Sequence, residues 1–199
     1  VVGQVGLGII IACTMYYHPS IVSRQKVNGP VKGANIQMQQ NFDGTKSYYN
    51  VEVKSTKTNI PFYKNNEFDY GKVLSVFGVP DGKYAFLVFL VFVVFIITAV
   101  SNGANITDGI DGLATGTSAV IGVTLAILAY VSGNSIFADY LNIIYIPNSG
   151  ELVVFAGAFV GACVGFLWYN SYPAQVFMGD TGSLAIGGII AAFAIMIRK

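Results

Sequence analysis

The sequence predicts an all-α integral membrane protein, a polytopic helix bundle with one long insertion. Only 11% of the 199 residues are Asp, Glu, Lys or Arg, against about 25% in an average soluble domain. Hydrophobic residues make up 54%, and the mean hydropathy is +0.61. Such a chain has too few polar groups to cover a water-facing surface and too many apolar ones for disorder. A formal net charge of +1 also argues against nucleic acid as a partner.

Five apolar segments are the predicted membrane spans. Most of them approach the roughly 20 residues needed to cross a bilayer core, and an isolated span in lipid must satisfy its backbone as a helix. Gly157, Gly161 and Gly165 recur every four residues, which predicts a helix face for close helix–helix contact. The spans are predicted at 1–17, 84–101, 113–131, 152–169 and 184–197.

Alternation of these spans sorts the connecting loops onto two sides. Loops 102–112 and 170–183 share one side, here called side A, while loops 18–83 and 132–150 share the opposite side B. Within the insertion 18–83, two strand-like runs at 36–41 and 48–53 flank an Asp-Gly pair at 43–44, which predicts a β-hairpin. A short surface helix is predicted over 134–142.

The side A loops carry Asp108, Asp111 and Asp180 and contain no basic residue. Acidic residues at the ends of membrane helices are energetically costly and usually functional. Carboxylate and amide oxygens are the ligands that Mg²⁺ prefers, typically one or two carboxylates together with substrate phosphates. The segment 180–183 also opens the last helix, where free N–H groups could hold a phosphate or Ser183 could cap the helix.

Three other interpretations remain open from the residues alone. Asp and Asn are common helix caps, so each aspartate taken singly is as consistent with capping as with chemistry. An ion-coupled transporter would also place acidic residues within a bundle, although usually near the middle of the bilayer. A bundle that only anchors the insertion 18–83 would leave the acidic loops unexplained.

The two side A loops resemble those of the polyprenyl-phosphate N-acetylhexosamine-1-phosphate transferases. The runs NGAN at 102–105 and TDGIDGL at 107–113 are similar to that family's Asn/Asp loop, and FMGDTGS at 177–183 is similar to its second acidic loop. The wider run FLWYNSYPAQVFMGD at 166–180 is most similar to the muramoyl-pentapeptide branch. The resemblance is dense from about residue 84 to 188 and absent over 18–83.

The resemblance implies a Mg²⁺-dependent transferase in the bacterial inner membrane. In this branch the donor is UDP-N-acetylmuramoyl-pentapeptide, the acceptor is undecaprenyl phosphate, and UMP is released as the first lipid-linked peptidoglycan precursor forms. A sibling branch that uses UDP-N-acetylglucosamine is the alternative. The bilayer is a further partner, and a homodimer is expected by resemblance only.

The resemblance also implies roles for individual residues. Asp180 would be the Mg²⁺ ligand, and Asp108 and Asp111 would join it as catalytic residues. Donor binding would fall to Asn102, Asn105, Asp108, Asp111, Asn170, Phe177 and Gly179. In this scheme Phe177 lies against the uracil ring, and Asp111 and Asn170 bond the uridine.

Two features of the family are absent from this sequence. The family also uses an acidic pair with a following basic residue upstream and a histidine-rich loop downstream, whereas this chain has a single histidine, His18, on side B. The chain also begins at Val1 rather than Met. We therefore expect a central piece of a longer enzyme, inactive by itself.

The charge distribution conflicts with the orientation that the resemblance implies. Nine of the 11 basic residues lie in 18–83, and the other two, Arg198 and Lys199, are also on side B. The positive-inside rule would put side B in the cytoplasm, but the insertion exceeds the roughly 60-residue loops over which that rule is counted. Because UDP-sugars are cytoplasmic, we expect side A to face the cytoplasm and loops 18–83 and 132–150 to be extracytoplasmic.

Overall fold

Helices form most of the fold. The structure is a computed structural model that describes residues 1–19, 21–27, 41–43, 46–53, 57–59, 67–70, 84–141 and 143–198. The helices are α1 Val2–Tyr17, α2 Ala85–Thr107, α3 Leu113–Gly133, α4 Ser135–Tyr140, α5 Gly150–Asn170 and α6 Gly179–Met196. The strands are β1 Ser23–Val27, β2 Asn41–Asp43, β3 Lys46–Val53, β4 Lys57–Asn59 and β5 Glu67–Asp69.

Four of these helices, α2, α3, α5 and α6, are long and apolar enough to cross a membrane, with 18 to 23 residues each. The prediction of an all-α polytopic membrane protein is therefore confirmed. Helix α1 is apolar but has only 16 residues, which is short of a full bilayer core. The fifth span stays a prediction.

Two helix boundaries lie deeper in the side A loops than the sequence predicts. Helix α2 continues to Thr107 instead of ending at Ser101, and α6 begins at Gly179 instead of Leu184. Polar side chains fit the extended α2 because they bond the helix's own carbonyls: Asn102 donates to Thr98 O at 2.8 Å and Thr107 to Gly103 O at 2.8 Å. The first side A loop therefore shortens to 108–112.

Helix α6 is the shared element of two apolar clusters. One cluster joins α1, α2 and α6, and the other joins α3, α5 and α6. Ile195 of α6 belongs to the first cluster, and Ile190 and Phe193 belong to the second. Helices in lipid associate through close van der Waals packing rather than through burial from water. Packing on both sides therefore fixes the axis of α6, whose first turn carries Asp180.

The predicted glycine face of α5 does not pack as expected. A Cβ atom built on Gly157, Gly161 or Gly165 would meet no heavy atom within 4 Å among the described residues. Helix α5 instead meets α3 at Gly122, where an added Cβ would lie 2.9 Å from Val160 Cγ2. Four-residue spacing defines a face without saying which neighbour occupies it, so a contact at this face stays a prediction.

The described parts of the insertion form two small antiparallel sheets. The first has the order β1-β3-β2, with Ser23 opposite Val53 and Asn41 opposite Tyr48. The strand predicted over 36–41 lies outside the described residues except for Asn41. The second sheet pairs β4 with β5 and is tied to the end of α6, since the Asn59 N–H donates to Arg198 O at 3.0 Å.

The predicted surface helix over 134–142 is present as α4. Asn134 caps it, because its side-chain oxygen accepts from the N–H groups of Ile136 and Phe137 at 2.9 and 3.4 Å. This is the usual way in which asparagine satisfies the first free donors of a helix.

Candidate functional site: an acidic cluster on side A

The acidic cluster consists of Asn105, Asp108, Asp180 and Ser183, and it forms where the last turn of α2 meets the first turn of α6. Asn105 Nδ2 donates to Asp180 Oδ1 at 3.0 Å and to Ser183 Oγ at 2.9 Å. A primary amide nitrogen has two hydrogens, so both donors of Asn105 are engaged. The two predicted acidic loops are therefore joined directly, through residues 75 and 78 positions apart in the chain.

Ser183 anchors this contact from below. Its side chain is fully buried, and its hydroxyl donates to Gly179 O at 3.1 Å while accepting from Asn105. Ser183 is not the cap that the sequence suggested, because α6 already begins four residues earlier. It instead holds Asn105 in position beside Asp180.

Asp180 is exposed in the first turn of α6. The N-terminus of a helix carries partial positive charge, and Asp180 places its side chain there. Asp108 is the C-terminal cap residue of α2 and is half-buried. Burial, and secondarily the negative charge of Asp180, raise the pKa of Asp108. Two neighbouring carboxylates form the kind of site that a cation stabilises.

Asp111 occupies a different position and does a different job. Its Oδ2 accepts the N–H of Ala174 at 3.1 Å, which ties the first side A loop to the second. Gly112 allows the loops to come this close, because its φ of 76° is strained for other residues and an added Cβ would lie 3.3 Å from Ser171 Cα. In this structure Asp111 therefore clamps two loops together.

Asn170 ends α5 and is almost completely buried, with 3% exposure. Its Oδ1 accepts from the Thr115 hydroxyl at 3.1 Å, and its Nδ2 donates to Val176 O at 2.9 Å. The next residue, Phe177, exposes 73% of its surface. The second loop thus offers an aromatic ring to solvent while its backbone is held by a buried amide.

The remaining predicted residues lie at the edges of the cluster. Asn102 is exposed and bonds Thr98 O, with a longer 3.5 Å contact to Gln4 Oε1, so its hydrogen bonds lead away from Asp180. Gly179 has a φ of 67°, and an added Cβ would meet nothing within 4 Å. The positive φ explains why glycine occupies position 179, and the space beside its Cα atom is open.

Three polar residues that the sequence reading did not single out also support the site. Gln4 Nε2 donates to Ser101 Oγ at 3.0 Å, and Ser101 Oγ donates to Leu184 O at 2.8 Å, which joins α1, α2 and α6. Thr115 is the third. Each is a polar residue inside an apolar helix, and this feature of the sequence could have identified all three.

The donor atoms at the cluster suit a hard cation. Asp108 and Asp180 supply carboxylate oxygens, and neither forms an ion pair with another described residue. Among the residues that the structure describes, no three His, Cys, Asp or Glu side chains lie close enough together to hold a metal. Two carboxylates agree with a Mg²⁺ site completed by substrate phosphates, rather than with a closed protein cage.

Comparison with known proteins gives the site a context. Residues 59–198 match the family described as glycosyl transferase family 4. The phospho-N-acetylmuramoyl-pentapeptide-transferases of Amoebophilus asiaticus and Flavobacterium johnsoniae are 60% and 59% identical, each match covering the whole of this chain and 47% and 48% of the relative. The Porphyromonas gingivalis protein of the same name is 52% identical over 46% of its length. The chain spans about half the length of the curated relatives it matches.

Proposed function

The chain belongs to glycosyl transferase family 4, and on that premise we propose that its protein transfers phospho-N-acetylmuramoyl-pentapeptide from UDP to undecaprenyl phosphate. UMP leaves, and the first lipid-linked peptidoglycan precursor forms. The observation that carries the proposal is the joining of Asn105 to Asp180, with Asp108 close enough to feel the charge of Asp180. Identities of 52–60% to transferases with that name support this branch over its sibling.

The proposed reaction exchanges one phosphate linkage for another. An oxygen of the acceptor phosphate bonds to the phosphorus that carries the sugar, while the bond from that phosphorus to the oxygen of UMP breaks. Such transfers depend mainly on positioning and on neutralising charge. A bound Mg²⁺ would offset the negative charge on the phosphates. In this proposal Asp180 ligates the metal, Asp108 lines the same pocket as a second acidic group, and Asn105 orients the Asp180 carboxylate.

The base-binding half of the proposed site is the second side A loop. Phe177 offers an exposed ring for the uracil, since stacking on an aromatic ring suits any base. Asp111 and Asn170 support this loop through Ala174 and Val176. Asn102 and Gly179 complete the donor pocket, Gly179 by leaving open space at the start of α6.

We assign the acceptor tail to an open, mostly apolar face of α3. This face begins at Gly112, next to Asp111. Its small residues, Gly112 and Gly116, leave room beside Val120 and Ile121 for a hydrocarbon chain. A polyprenyl tail lying there would keep its phosphate near the side A end of the helix.

We propose that side A faces the cytoplasm of the bacterial inner membrane, because UDP-linked sugars are found there. Loop 132–150 is then extracytoplasmic, together with the insertion 18–83. A cysteine placed at Ser135, in α4, should react with an impermeant thiol reagent added from outside the membrane. Labelling only from the cytoplasmic face would reverse the orientation. The same preparation, cross-linked, tests the homodimer expected by resemblance.

The test of function is UMP release by the full-length protein. We expect release with UDP-N-acetylmuramoyl-pentapeptide and undecaprenyl phosphate, little with UDP-N-acetylglucosamine, and none after Mg²⁺ is chelated. Asp180→Asn should abolish turnover while Asp139→Asn, in α4 on side B, should not. Preference for UDP-N-acetylglucosamine would favour the sibling branch, and near-normal turnover by Asp180→Asn would refute the site.

A further inference from the structure

Thr115 carries a buried hydroxyl between α3 and α5. It lies in the first turn of α3 with no exposed surface. Other threonines of this helix bond their own backbone, as Thr124 does with Val120 O at 3.0 Å. The hydroxyl of Thr115 instead donates across to Asn170 Oδ1 on α5, at 3.1 Å. This bond joins two helices beneath the second side A loop.

The bond to Asn170 continues into the loop backbone. Asn170 Nδ2 donates to Val176 O at 2.9 Å, and Val176 immediately precedes Phe177. The oxygen of an amide must face a donor and its nitrogen must face an acceptor. The carbonyl of Val176 only accepts, so the Asn170 nitrogen faces it, and the Thr115 hydroxyl donates to the amide oxygen on the other side.

We infer that Thr115 is a positioning residue, which acts through Asn170 to set the place of Phe177 for the nucleoside of the donor. The inference rests on the proposed function, in which Phe177 contacts the uracil. It also changes the role of Asn170, which at 3% exposure supports the loop from beneath rather than presenting its amide to the donor. Asp111 holds the same loop separately at Ala174, so losing Thr115 loosens the loop without detaching it.

The matched variants are Thr115→Val, which keeps the shape but removes the hydroxyl, and Thr115→Ser, which keeps the hydroxyl. Thr124→Val is the control, because that hydroxyl bonds the backbone of its own helix. In the full-length protein, Thr115→Val should raise the KM for the UDP-linked donor roughly tenfold, because donor binding must then order a loosened loop. The kcat should change little, because a lost contact to the bound base weakens ground state and transition state alike.

Rescue and coupling distinguish positioning from general stability. Thr115→Ser should restore the KM, and Thr115→Val should add nothing to the defect of Asn170→Ala, because Thr115 acts only through that amide. A Thr115→Val protein that matches Thr124→Val in KM would overturn the inference. So would a fall in kcat and thermal stability without a change in KM.

Hydrogen exchange gives a readout that does not depend on activity. The amides of 171–178 should exchange faster in Thr115→Val than in Thr124→Val, because the tie at Val176 is weakened. If the wild-type protein releases no UMP from the muramoyl donor, the proposed function fails, and the exchange experiment still decides whether Thr115 holds the loop. Equal exchange in the two variants would refute the positioning role.

Discussion

Substitution of Gly187 by alanine tests whether the acidic cluster depends on the contact between α2 and α6. An added Cβ at Gly187 would lie 2.7 Å from Ser101 Cα, 2.8 Å from Ala104 Cβ and 2.8 Å from Val100 O. Two of these atoms belong to the backbone of α2 and cannot rotate away. The same two helices carry Asn105 and Asp180, so the clash acts directly on the bond between them.

The size of the effect follows from these distances. Carbon atoms in contact normally lie about 3.5–4.0 Å apart, so the helices must separate by roughly 1 Å at this point. A similar movement would stretch the Asn105–Asp180 hydrogen bond from 3.0 Å beyond useful length. Overpacking of this kind costs about 1–3 kcal/mol of stability, and a displacement of about 1 Å at a catalytic group lowers the rate about 100-fold.

The sign of the stability change makes the test sharp. Alanine has a helix propensity about 1 kcal/mol better than that of glycine, so without a clash Gly187→Ala would stabilise α6. We expect a lower melting temperature instead, with UMP release reduced by about 10- to 100-fold.

Gly188→Ala is the matched control. Its nearest neighbour would be Leu7 Cδ2 at 3.7 Å, an ordinary contact, while the gain in helix propensity is the same. Thermal unfolding and UMP release should be measured for both variants in the same detergent. If Gly187→Ala is as stable and active as Gly188→Ala, the close approach of α2 and α6 does not hold the site, and the reasoning fails.

Two further predictions concern the two halves of the site. Because the pKa of Asp108 is raised in the folded protein, its contribution to stability is present at acid pH and is lost as the pH rises through that pKa. In the absence of metal, the Asp108→Asn protein should therefore lose less thermal stability than the wild type over this range. Equal pH profiles of the two proteins in chelator would contradict this. Phe177→Ala should raise the KM for the donor roughly tenfold, as expected for a lost stacking contact, while Phe177→Tyr should not. The melting temperature should stay unchanged because the ring is exposed. An unaltered KM would show that Phe177 does not belong to the donor pocket.

The membrane class and the convergence of the two loops were accessible from the sequence. Apolar runs reveal spans because a lipid-facing segment has little chemical choice. Alternation of spans then puts loops of equal parity on one side, and the structure joins Asn105 to Asp180 on that side. The catalytic and binding roles of these residues stay predictions.

Helix ends and packing faces were beyond the sequence. Asn102 and Thr107 are residue types typical of loops. The side chain of each donates a hydrogen bond to a backbone carbonyl of α2, and the helix therefore continues through them. The spacing of the α5 glycines predicted a packing face on α5. The tightest approach to α6 is instead made by α2, at Gly187. A single glycine gives no periodic signal, and which helix stands opposite is a property of the whole bundle.

The site thus has two halves that are held by different physical means. Asp180 takes its place from α6, a helix packed on both sides, so a shift of α6 moves Asp180 with it. Phe177 takes its place from a loop tied at Ala174 and Val176 by two side chains. In the proposed reaction Asp180 serves the reacting phosphates and Phe177 serves the nucleoside, so disruption of helix packing should appear in kcat and loss of the loop ties should appear in KM. Substitutions at Gly187 and Thr115 should therefore have separable kinetic effects, and identical effects from both would mean that the two halves move together.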